Sequence, residues 1–350
     1  MDSWRELAGR ALMVGLPGPD LDDRTVETLR RLRPGGAILF ARNLESPGQT
    51  RRILQALREI LPAPTLLALD QEGGRVSRLE PWIGKTPSAD RLTRAGEAAV
   101  RRFALATGHL LRSLGFNLDF APVVDLCDAQ ATNGIGDRAY GTDALTVTRM
   151  AGTFLDALQE TGVAGCLKHF PGLGPTCVDS HVSLPTSQRS PEEMEGSDLV
   201  PYARLAERAA CVMVGHGHYP ELDPTAGLPA TLSREIVHGI LRSRLAYGGL
   251  VVTDDLEMGA VASLDRDAAA AIQTIEAGCD LLLYCHRLDL AETAVDALAR
   301  RAQSNPGFAA RLTAAAEAVQ ETARRWDRLE TDRTEWSLAL NQMKVAADLI

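Results

Sequence analysis

The chain has 350 residues, of which 45% are hydrophobic and 24% charged, a composition typical of an ordinary globular protein. Its formal net charge is -9 and it contains no long run of Lys or Arg, which argues against nucleic acid or an anionic membrane as a partner. The six cysteines form no C-x-x-C pair, so neither a disulfide framework nor a zinc knuckle is expected.

The N-terminal stretch MDSWRELAGRALMVGLPG carries acids among its first residues, and Gly15 and Pro17 cut its apolar run short. It lacks the basic start and long apolar segment of a secretory signal. The chain also lacks any uninterrupted apolar stretch of about 18 residues, the length needed to span a membrane. We therefore expect a cytoplasmic protein that makes no contact with a membrane.

Eight short apolar runs recur along the chain, and polar or glycine-rich residues follow most of them. They occupy residues 11–16, 36–42, 64–74, 116–126, 163–172, 211–220, 249–259 and 279–286. Stretches with helical spacing lie between them, among them residues 22–32, 46–60, 97–115, 144–162 and 233–245. A strand followed by a helix, repeated in this way, predicts a parallel sheet that is covered on both faces.

Eight repeats without pairing into halves favour an α/β fold of the closed (β/α)8 TIM barrel type over an open sheet. The first loop, VGLPGPD, also lacks the G-x-G-x-x-G pattern common in open sheets. Residues 288–350 are rich in Ala and Arg and predict closing helices that wrap the barrel, broken into two at Pro306 and Gly307. No biased linker interrupts the chain, so one domain is expected over residues 1–350.

Charged and polar side chains follow most of the predicted strands, where a barrel places its active site. They are Asp70, Glu72, Arg75 and Arg78 after the third strand, Asp125 and Arg138 after the fourth, Lys168 and His169 after the fifth, His216 and His218 after the sixth, and Asp254 and Asp255 after the seventh. Independent strand ends would not all carry such residues for packing alone. The mixture suits a small ligand rich in hydroxyl groups, such as a sugar.

A retaining glycosidase needs a carboxylate nucleophile and an acid/base about 5 Å away that keeps a proton near neutral pH. Asp254 meets the first requirement, and Asp179 with His181 offers the second, because an aspartate can orient a histidine and stabilise its cation. The alternatives are that Asp254 only caps the next helix and that His181 is an ordinary exposed loop residue.

Five ordered motifs carry a resemblance to a known family. They are DQEGGRVSR (70–78), NLDFAPVVDL (117–126), GDRAYG (136–141), KHFPG-x-G followed by DSH (168–181) and TDDLEMGA (253–260). Together they resemble family 3 glycoside hydrolases, in particular the single-domain β-N-acetylhexosaminidases of the peptidoglycan-recycling type. The resemblance covers roughly residues 10 to 290.

The resemblance implies a role for each matching residue. Asp254 matches the nucleophile, His181 the general acid/base and Asp179 its partner. The residues that match positions binding the terminal sugar are Asp70, Arg78, Arg138, Lys168 and His169. It further implies no metal or organic cofactor and a small carbohydrate or muropeptide substrate, such as N-acetylglucosaminyl-1,6-anhydromuramyl peptides in the cytoplasm. The sequence does not show the oligomeric state, and a monomer is favoured.

Other positions leave alternatives open. Leu173 stands where the family has a histidine, which puts substrate preference in doubt, whereas Thr253 for serine keeps a hydroxyl group. His216 is a candidate for lining the pocket, although a metal-binding pair of His216 with His218 is an alternative. Arg75 is expected to be a structural ion-pair partner, and Trp82 is expected to serve local packing.

Three competing functions remain. The first is a β-glucosidase or other β-glycosidase of the same family, whose members commonly carry a second domain for the acid/base. The second is a metal-dependent barrel hydrolase, which usually has an H-x-H pair at its first strand, whereas ALMVGLPG has no histidine. The third is a sugar-binding protein that has lost catalysis, against which the intact Asp254, Asp179 and His181 argue.

Overall fold

The computed structural model describes residues 2–131, 134–174, 184–262, 268–327 and 335–348. Eight parallel strands close into a barrel in which each strand pairs with its neighbours in chain order and the last pairs with the first. They are β1 (Leu12–Gly15), β2 (Gly36–Ile38), β3 (Leu66–Leu69), β4 (Leu118–Asp119), β5 (Ala164–Phe170), β6 (Cys211–Val214), β7 (Leu250–Asp255) and β8 (Leu281–Tyr284). The predicted TIM barrel is confirmed.

Helices surround the barrel. Those before the last strand are Asp2–Arg10, Asp23–Leu32, Pro47–Ile60, Glu80–Ile83, Ala89–Ala95, Glu97–Leu114, Ala144–Glu160, Pro191–Gly196, Leu199–Leu205, Glu235–Arg244, Gly259–Ala262 and Ala269–Ala277. The segment Glu235–Arg244 is wound as a π-helix. Single-turn 3-10 helices lie at Ala41–Asn43, Gly136–Arg138, Ala206–Arg208 and Ala230–Leu232.

Short polar side chains fix where several of these helices begin. The side chain of Asp22 accepts a hydrogen bond from the amide of Thr25 at 2.8 Å, and Asp143 accepts one from Thr146 at 2.9 Å. Such N-caps satisfy amides that have no partner inside the helix. At the other end of Glu97–Leu114, Gly115 takes a φ of 112°, a conformation that glycine adopts without strain.

The strands are apolar on both faces, which explains why each one reads as a continuous hydrophobic run. Side chains such as Met13, Phe120 and Met213 fill the barrel interior, and alternate residues such as Val14 and Leu167 pack outward against the helices. All five are at most 3% exposed. A parallel sheet buried on both sides requires this pattern.

The C-terminal helices differ from the prediction of two wrapping segments. The described residues of this region form three helices, Leu288–Ser304, Pro306–Trp326 and Trp336–Asp348, and the predicted break falls at Asn305, directly before Pro306. Val319 and Ala323 of the second helix belong to the same cluster as the barrel interior. This helix therefore covers the N-terminal end of the barrel and leaves the C-terminal end for a ligand.

A small hairpin follows β3 at the open end of the barrel. It pairs Gln71–Gly73 with Val76–Ser77, and the amide of Gln71 donates to Oδ1 of Asp119 at 2.9 Å. The turn between them holds Gly73 at φ 97°, where a Cβ atom would lie 2.6 Å from the carbonyl oxygen of Pro87. The hairpin thus fixes Glu72 at the barrel mouth.

Within the described ranges, no helix combines the length and apolar character that a membrane span requires.

Candidate active site

A cavity of about 480 Å³ opens at the C-terminal end of the barrel. Its walls include six residues predicted to act in the site, namely Asp70, Arg78, Arg138, Lys168, His169 and Asp254. They come from the ends of β3, β5 and β7 and from the loop after β4. The barrel therefore brings together side chains that lie far apart in the sequence, as the strand-end pattern predicts.

Lys168 is buried between two carboxylates. Its Nζ lies 2.9 Å from Oδ1 of Asp70 and 2.6 Å from Oε1 of Glu72, and its side chain is 3% exposed. Burial works against the lysine cation, but the two carboxylates outweigh this effect and raise the pKa of Lys168 above its usual range. Lys168 is therefore a fixed positive charge in the cavity wall.

The sequence analysis named Glu72 among the charged residues at the strand ends but assigned it no role in the site. Arg138 binds its carboxylate with two parallel hydrogen bonds, from Nε to Oε2 and from Nη2 to Oε1, each 2.8 Å long. Burial works against the anion, yet Arg138 and Lys168 hold the pKa of Glu72 well below its usual range. Both oxygens of Glu72 are occupied, so it positions Arg138 and Lys168. Its place in the DQEGGR run was the signal that could have identified it.

Asp70 and Arg78 are less fully paired. Nη2 of Arg78 lies 3.4 Å from Oδ2 of Asp70, which is a long contact for an ion pair. Nε of Arg78 is buried and has no hydrogen-bond partner among the residues that the structure describes. Because a buried donor without a partner is costly, this nitrogen is well suited to a ligand oxygen.

His169 is held by Asp125, a strand-end residue to which the sequence analysis also assigned no role. Nδ1 of His169 lies 2.7 Å from Oδ2 of Asp125, a residue with no exposed surface. The imidazole is 6% exposed and lies in the cavity wall. Its Nε2 makes no hydrogen bond within the described part of the chain, so it is available to a ligand.

Asp254 lies at the end of β7 and faces the cavity. Its Oδ1 accepts the amide hydrogen of Asp255 at 2.8 Å. Burial favours the protonated acid, but the imidazoles of His216 and His169 and the Asp255 amide outweigh it and hold the pKa of Asp254 below its usual range. An ionised carboxylate at this place can act as a nucleophile.

Asp255 differs from its neighbour in ionisation. Burial, together with the carboxylates of Glu257 and Asp254, raises the pKa of Asp255 to about 7. Its Oδ1 accepts the amide hydrogens of Glu257 at 3.1 Å and Cys285 at 3.3 Å, so it joins β7 to β8. Two adjacent carboxyl groups thus have pKa values displaced in opposite directions, an arrangement found where acids have different roles.

The structure corrects the prediction that His216 binds substrate. Its side chain is fully buried, with Nδ1 2.8 Å from Oγ1 of Thr231 and Nε2 2.8 Å from the carbonyl oxygen of Asp255. It lies behind the wall that carries Asp254 and not in the cavity. Since both ring nitrogens are engaged, His216 is also poorly placed to hold a metal. Among the described residues, no group of three or more His, Cys, Asp and Glu side chains forms a metal site.

Two other predicted residues lie outside the described part of the chain. Asp179 and His181 fall within residues 175–183, so their places in the site remain predictions. Leu173, just before this segment, is 5% exposed and packs with Val123, Cys127 and Ile135. It therefore contributes an apolar surface to the cavity wall.

Arg75 and Trp82 serve the surrounding structure. Arg75 pairs with Asp137 at 3.1 Å and donates to the carbonyl oxygen of Gly134 at 2.6 Å, so it does not pair with Asp70 or Glu72. Trp82 packs edge-on against Trp336, with ring centroids 6.0 Å apart. Both contacts stabilise loops or helices around the barrel.

Phe40 and His286 form a rim to the cavity that the sequence analysis did not predict. Their rings stack with centroids 5.8 Å apart and an interplanar angle of 21°. The guanidinium carbon of Arg42 lies 4.6 Å from the centre of the Phe40 ring. No motif connects these residues, since they meet only because β8 pairs with β1 and β1 with β2.

A family model described as the glycosyl hydrolase family 3 N-terminal domain matches residues 9–321. The chain belongs to this family. This match confirms the resemblance to family 3 glycoside hydrolases that the five motifs indicate.

Three relatives show how widely this family likeness extends. A β-hexosaminidase of Pseudomonas aeruginosa is 39% identical over 307 residues, which are 86% of this chain and 90% of that protein. The structure of a family 3 β-N-acetylglucosaminidase from Paenibacillus covers 99% of this chain and 68% of its own, with a TM-score of 0.89 and 31% identity. A β-N-acetylhexosaminidase from Beutenbergia cavernae covers 92% of this chain and 98% of its own, with a TM-score of 0.85 and 29% identity.

Proposed function

We propose that this glycoside hydrolase is a retaining exo-β-N-acetylglucosaminidase, which releases terminal β-linked N-acetylglucosamine through a covalent intermediate on Asp254. The observation that carries the proposal is the position of the Asp254 carboxylate, in one cavity with Lys168, Asp70 and Arg78. The naming of the Pseudomonas, Paenibacillus and Beutenbergia relatives supports the substrate class. The sugar is the part of the substrate that this cavity would hold.

The cavity supplies the contacts that a sugar needs. Asp70 accepts hydrogen bonds, Lys168 and Arg78 donate them, and Nε2 of His169 can do either. Charged partners form shorter and stronger hydrogen bonds to hydroxyl groups than neutral partners do. Glu72 already accepts two hydrogen bonds from Arg138. Arg138 therefore contributes mainly by holding Glu72 in place and by keeping its own remaining N–H groups near the ligand.

The reaction then proceeds in two steps. In the first, His181 donates a proton to the glycosidic oxygen while Asp254 attacks the anomeric carbon, so the bond to the leaving alcohol breaks and an ester to Asp254 forms. In the second, His181 accepts a proton from water, whose oxygen attacks the same carbon and releases the sugar and the Asp254 carboxylate. Asp179 orients His181 and stabilises its cation.

This assignment is tested with aryl glycosides. The wild-type protein is expected to hydrolyse an aryl β-N-acetylglucosaminide far faster than the matching β-glucoside and to release the β-anomer first. Preference for the glucoside would favour the alternative of a β-glucosidase. Release of the α-anomer would exclude a retaining mechanism.

The acid/base is tested separately. His181→Ala is expected to slow turnover and to accumulate the glycosyl-enzyme, which intact-mass spectrometry detects. Asp179→Asn is expected to reduce the rate in the same direction but by less. Unchanged turnover in His181→Ala would require another proton donor.

The biological context is also part of the proposal. We infer that the substrates are muropeptides from peptidoglycan turnover, and a cytoplasmic location stays a prediction. Comparing purified muropeptides with chitin oligosaccharides as substrates tests the first point. Higher kcat/KM on the chitin fragments would overturn it.

A further inference from the structure

Asp125 lies beneath the cavity and accepts three hydrogen bonds from the end of β5 and the turn that follows it. Its carboxylate accepts hydrogen bonds from Nδ1 of His169 at 2.7 Å, from the amide of His169 at 3.2 Å and from the amide of Leu173 at 2.7 Å. The neighbouring backbone strengthens this arrangement, because the amide of Val124 donates to the carbonyl oxygen of Lys168 at 2.8 Å. The carboxylate is completely buried.

These contacts determine which nitrogen of His169 carries a hydrogen. An ionised carboxylate only accepts hydrogen bonds, so Nδ1 must be the donor. The other nitrogen, Nε2, is then left for the cavity, either as an acceptor or, in the cation, as a donor. The backbone of Gly215 also packs closely against His169, because a Cβ atom added at Gly215 would come within 2.9 Å of Cβ of His169.

The same carboxylate fixes the turn that follows β5. Its bond to the Leu173 amide joins this turn to the segment after β4, and the Leu173 side chain packs there against Val123 and Ile135. The hydroxyl group of Tyr219 adds a bond to the carbonyl oxygen of Gly172 at 2.8 Å. The sugar-facing histidine and the turn after it therefore share one support.

We propose that Asp125 is a positioning residue, which acts on the substrate through His169 by holding Nδ1 protonated and Nε2 directed at the sugar. The inference rests on the proposed function for its effect on sugar hydrolysis, but not for its effect on the imidazole. An asparagine at this position would disturb both contacts. Its single carbonyl oxygen can accept from His169 or from Leu173, while its amide group faces the other donor.

Kinetics on an aryl β-N-acetylglucosaminide test this role. Asp125→Asn is expected to lower kcat/KM by about 10- to 100-fold, by analogy with the loss seen when the hydrogen-bond partner of a metal-binding histidine is removed. In a double-mutant cycle, Asp125→Asn is expected to cause a much smaller further loss once His169→Ala is present, because only its contact with the Leu173 amide is then left to disturb. A full multiplicative loss in the double variant would show a general structural role and overturn the proposal.

Asp280 provides a matched control. It is also buried, with Oδ1 2.6 Å from Nη2 of Arg311, but it lies at the start of β8, at the opposite end of the barrel. Asp280→Asn is expected to lower the melting temperature without changing KM. If Asp280→Asn weakened substrate binding as strongly as Asp125→Asn, the effect of Asp125 would not be specific to His169.

A spectroscopic measurement separates this proposal from the proposed function. In NMR spectra of the free protein, the Nδ1–H resonance of His169 is expected to lie far downfield and to disappear in Asp125→Asn. This signal needs no substrate, so it tests the positioning of the ring even if no aryl glycoside is hydrolysed. An imidazole protonated at Nε2 alone in the wild type would contradict the proposal.

Discussion

Nζ of Lys168 lies 2.6 Å from Oε1 of Glu72, and both side chains are almost completely buried in the cavity wall. Asp70 and Arg138 complete a group of alternating charges around this contact. Removing one member of a buried ion pair leaves the other charge without compensation. The site therefore depends on Glu72 for the arrangement of residues that are proposed to contact the sugar.

Glu72→Gln is expected to destabilise the protein by about 3–5 kcal/mol, because Lys168 and Arg138 would lose their shared carboxylate. KM for an aryl β-N-acetylglucosaminide is expected to rise as well. Chemical denaturation and steady-state kinetics measure the two effects. The control is Glu160→Gln, which breaks an exposed two-bond pair with Arg101 and is expected to change little. Equal losses in the two variants would contradict a special role for burial.

The same carboxylate predicts an acid dependence of stability. The pKa of Glu72 is held far below the 4.5 of an unperturbed glutamate, so its stabilising contribution is present above about pH 4.5 and is lost as the pH falls. The wild type should therefore lose more stability than Glu72→Gln between about pH 5 and pH 3. Melting temperatures that fall equally in the two proteins over this pH range would show that the stability does not depend on the ionisation of Glu72.

The ionisation of Asp255 is expected to change stability with pH in the opposite direction. Its pKa is raised to about 7 from an unperturbed 3.8, so ionisation in the folded protein costs stability as the pH rises between these values. Asp255→Asn keeps an oxygen for the Glu257 and Cys285 amides but cannot ionise. The difference in unfolding free energy, wild type minus variant, should therefore fall from pH about 4 to about 7. A difference that is constant across this range would contradict the shifted pKa.

Eight strands and most of the charged residues of the cavity could be predicted from the sequence, because continuous apolar runs and the polar residues after them are local patterns. The residues that hold those side chains in place could not be predicted in this way. Asp125 and His169 are 44 positions apart, and Glu72 and Lys168 are 96 apart, so only the closed barrel brings them together. His216 shows the limit in the other direction: its place after β6 was correct, but sequence alone did not reveal that its ring turns away from the cavity.

Leu173 replaces a family histidine, and its packing gives that change a measurable consequence. Leu173→Ala is expected to cost about 2–5 kcal/mol, because it leaves a cavity among Val123, Cys127 and Ile135. Leu173→His should also destabilise, since it places a polar ring in an apolar cluster. The control is Leu145→Ala, at a side chain that is 69% exposed, with an expected change within about 0.5 kcal/mol. Wild-type stability in both Leu173 variants would show that this contact is not important.

Activity is expected to survive a strong chelator. The reason lies in the His216 side chain, whose nitrogens are bound to Thr231 and to the Asp255 carbonyl oxygen. Turnover of an aryl β-N-acetylglucosaminide before and after dialysis against the chelator checks this. Loss of activity that a divalent metal restores would revive the alternative of a metal-dependent hydrolase.

The most direct test of the account is turnover of an aryl β-N-acetylglucosaminide by Asp254→Asn, with correct folding verified by an unchanged melting profile. The account predicts a loss of kcat on the order of 10⁴-fold or more, as for other enzymes that lose their nucleophile. It also predicts that a slow, fluorinated substrate labels Asp254 in the wild type and leaves the variant unlabelled. Near wild-type turnover by Asp254→Asn, or a label on another carboxylate, would contradict it.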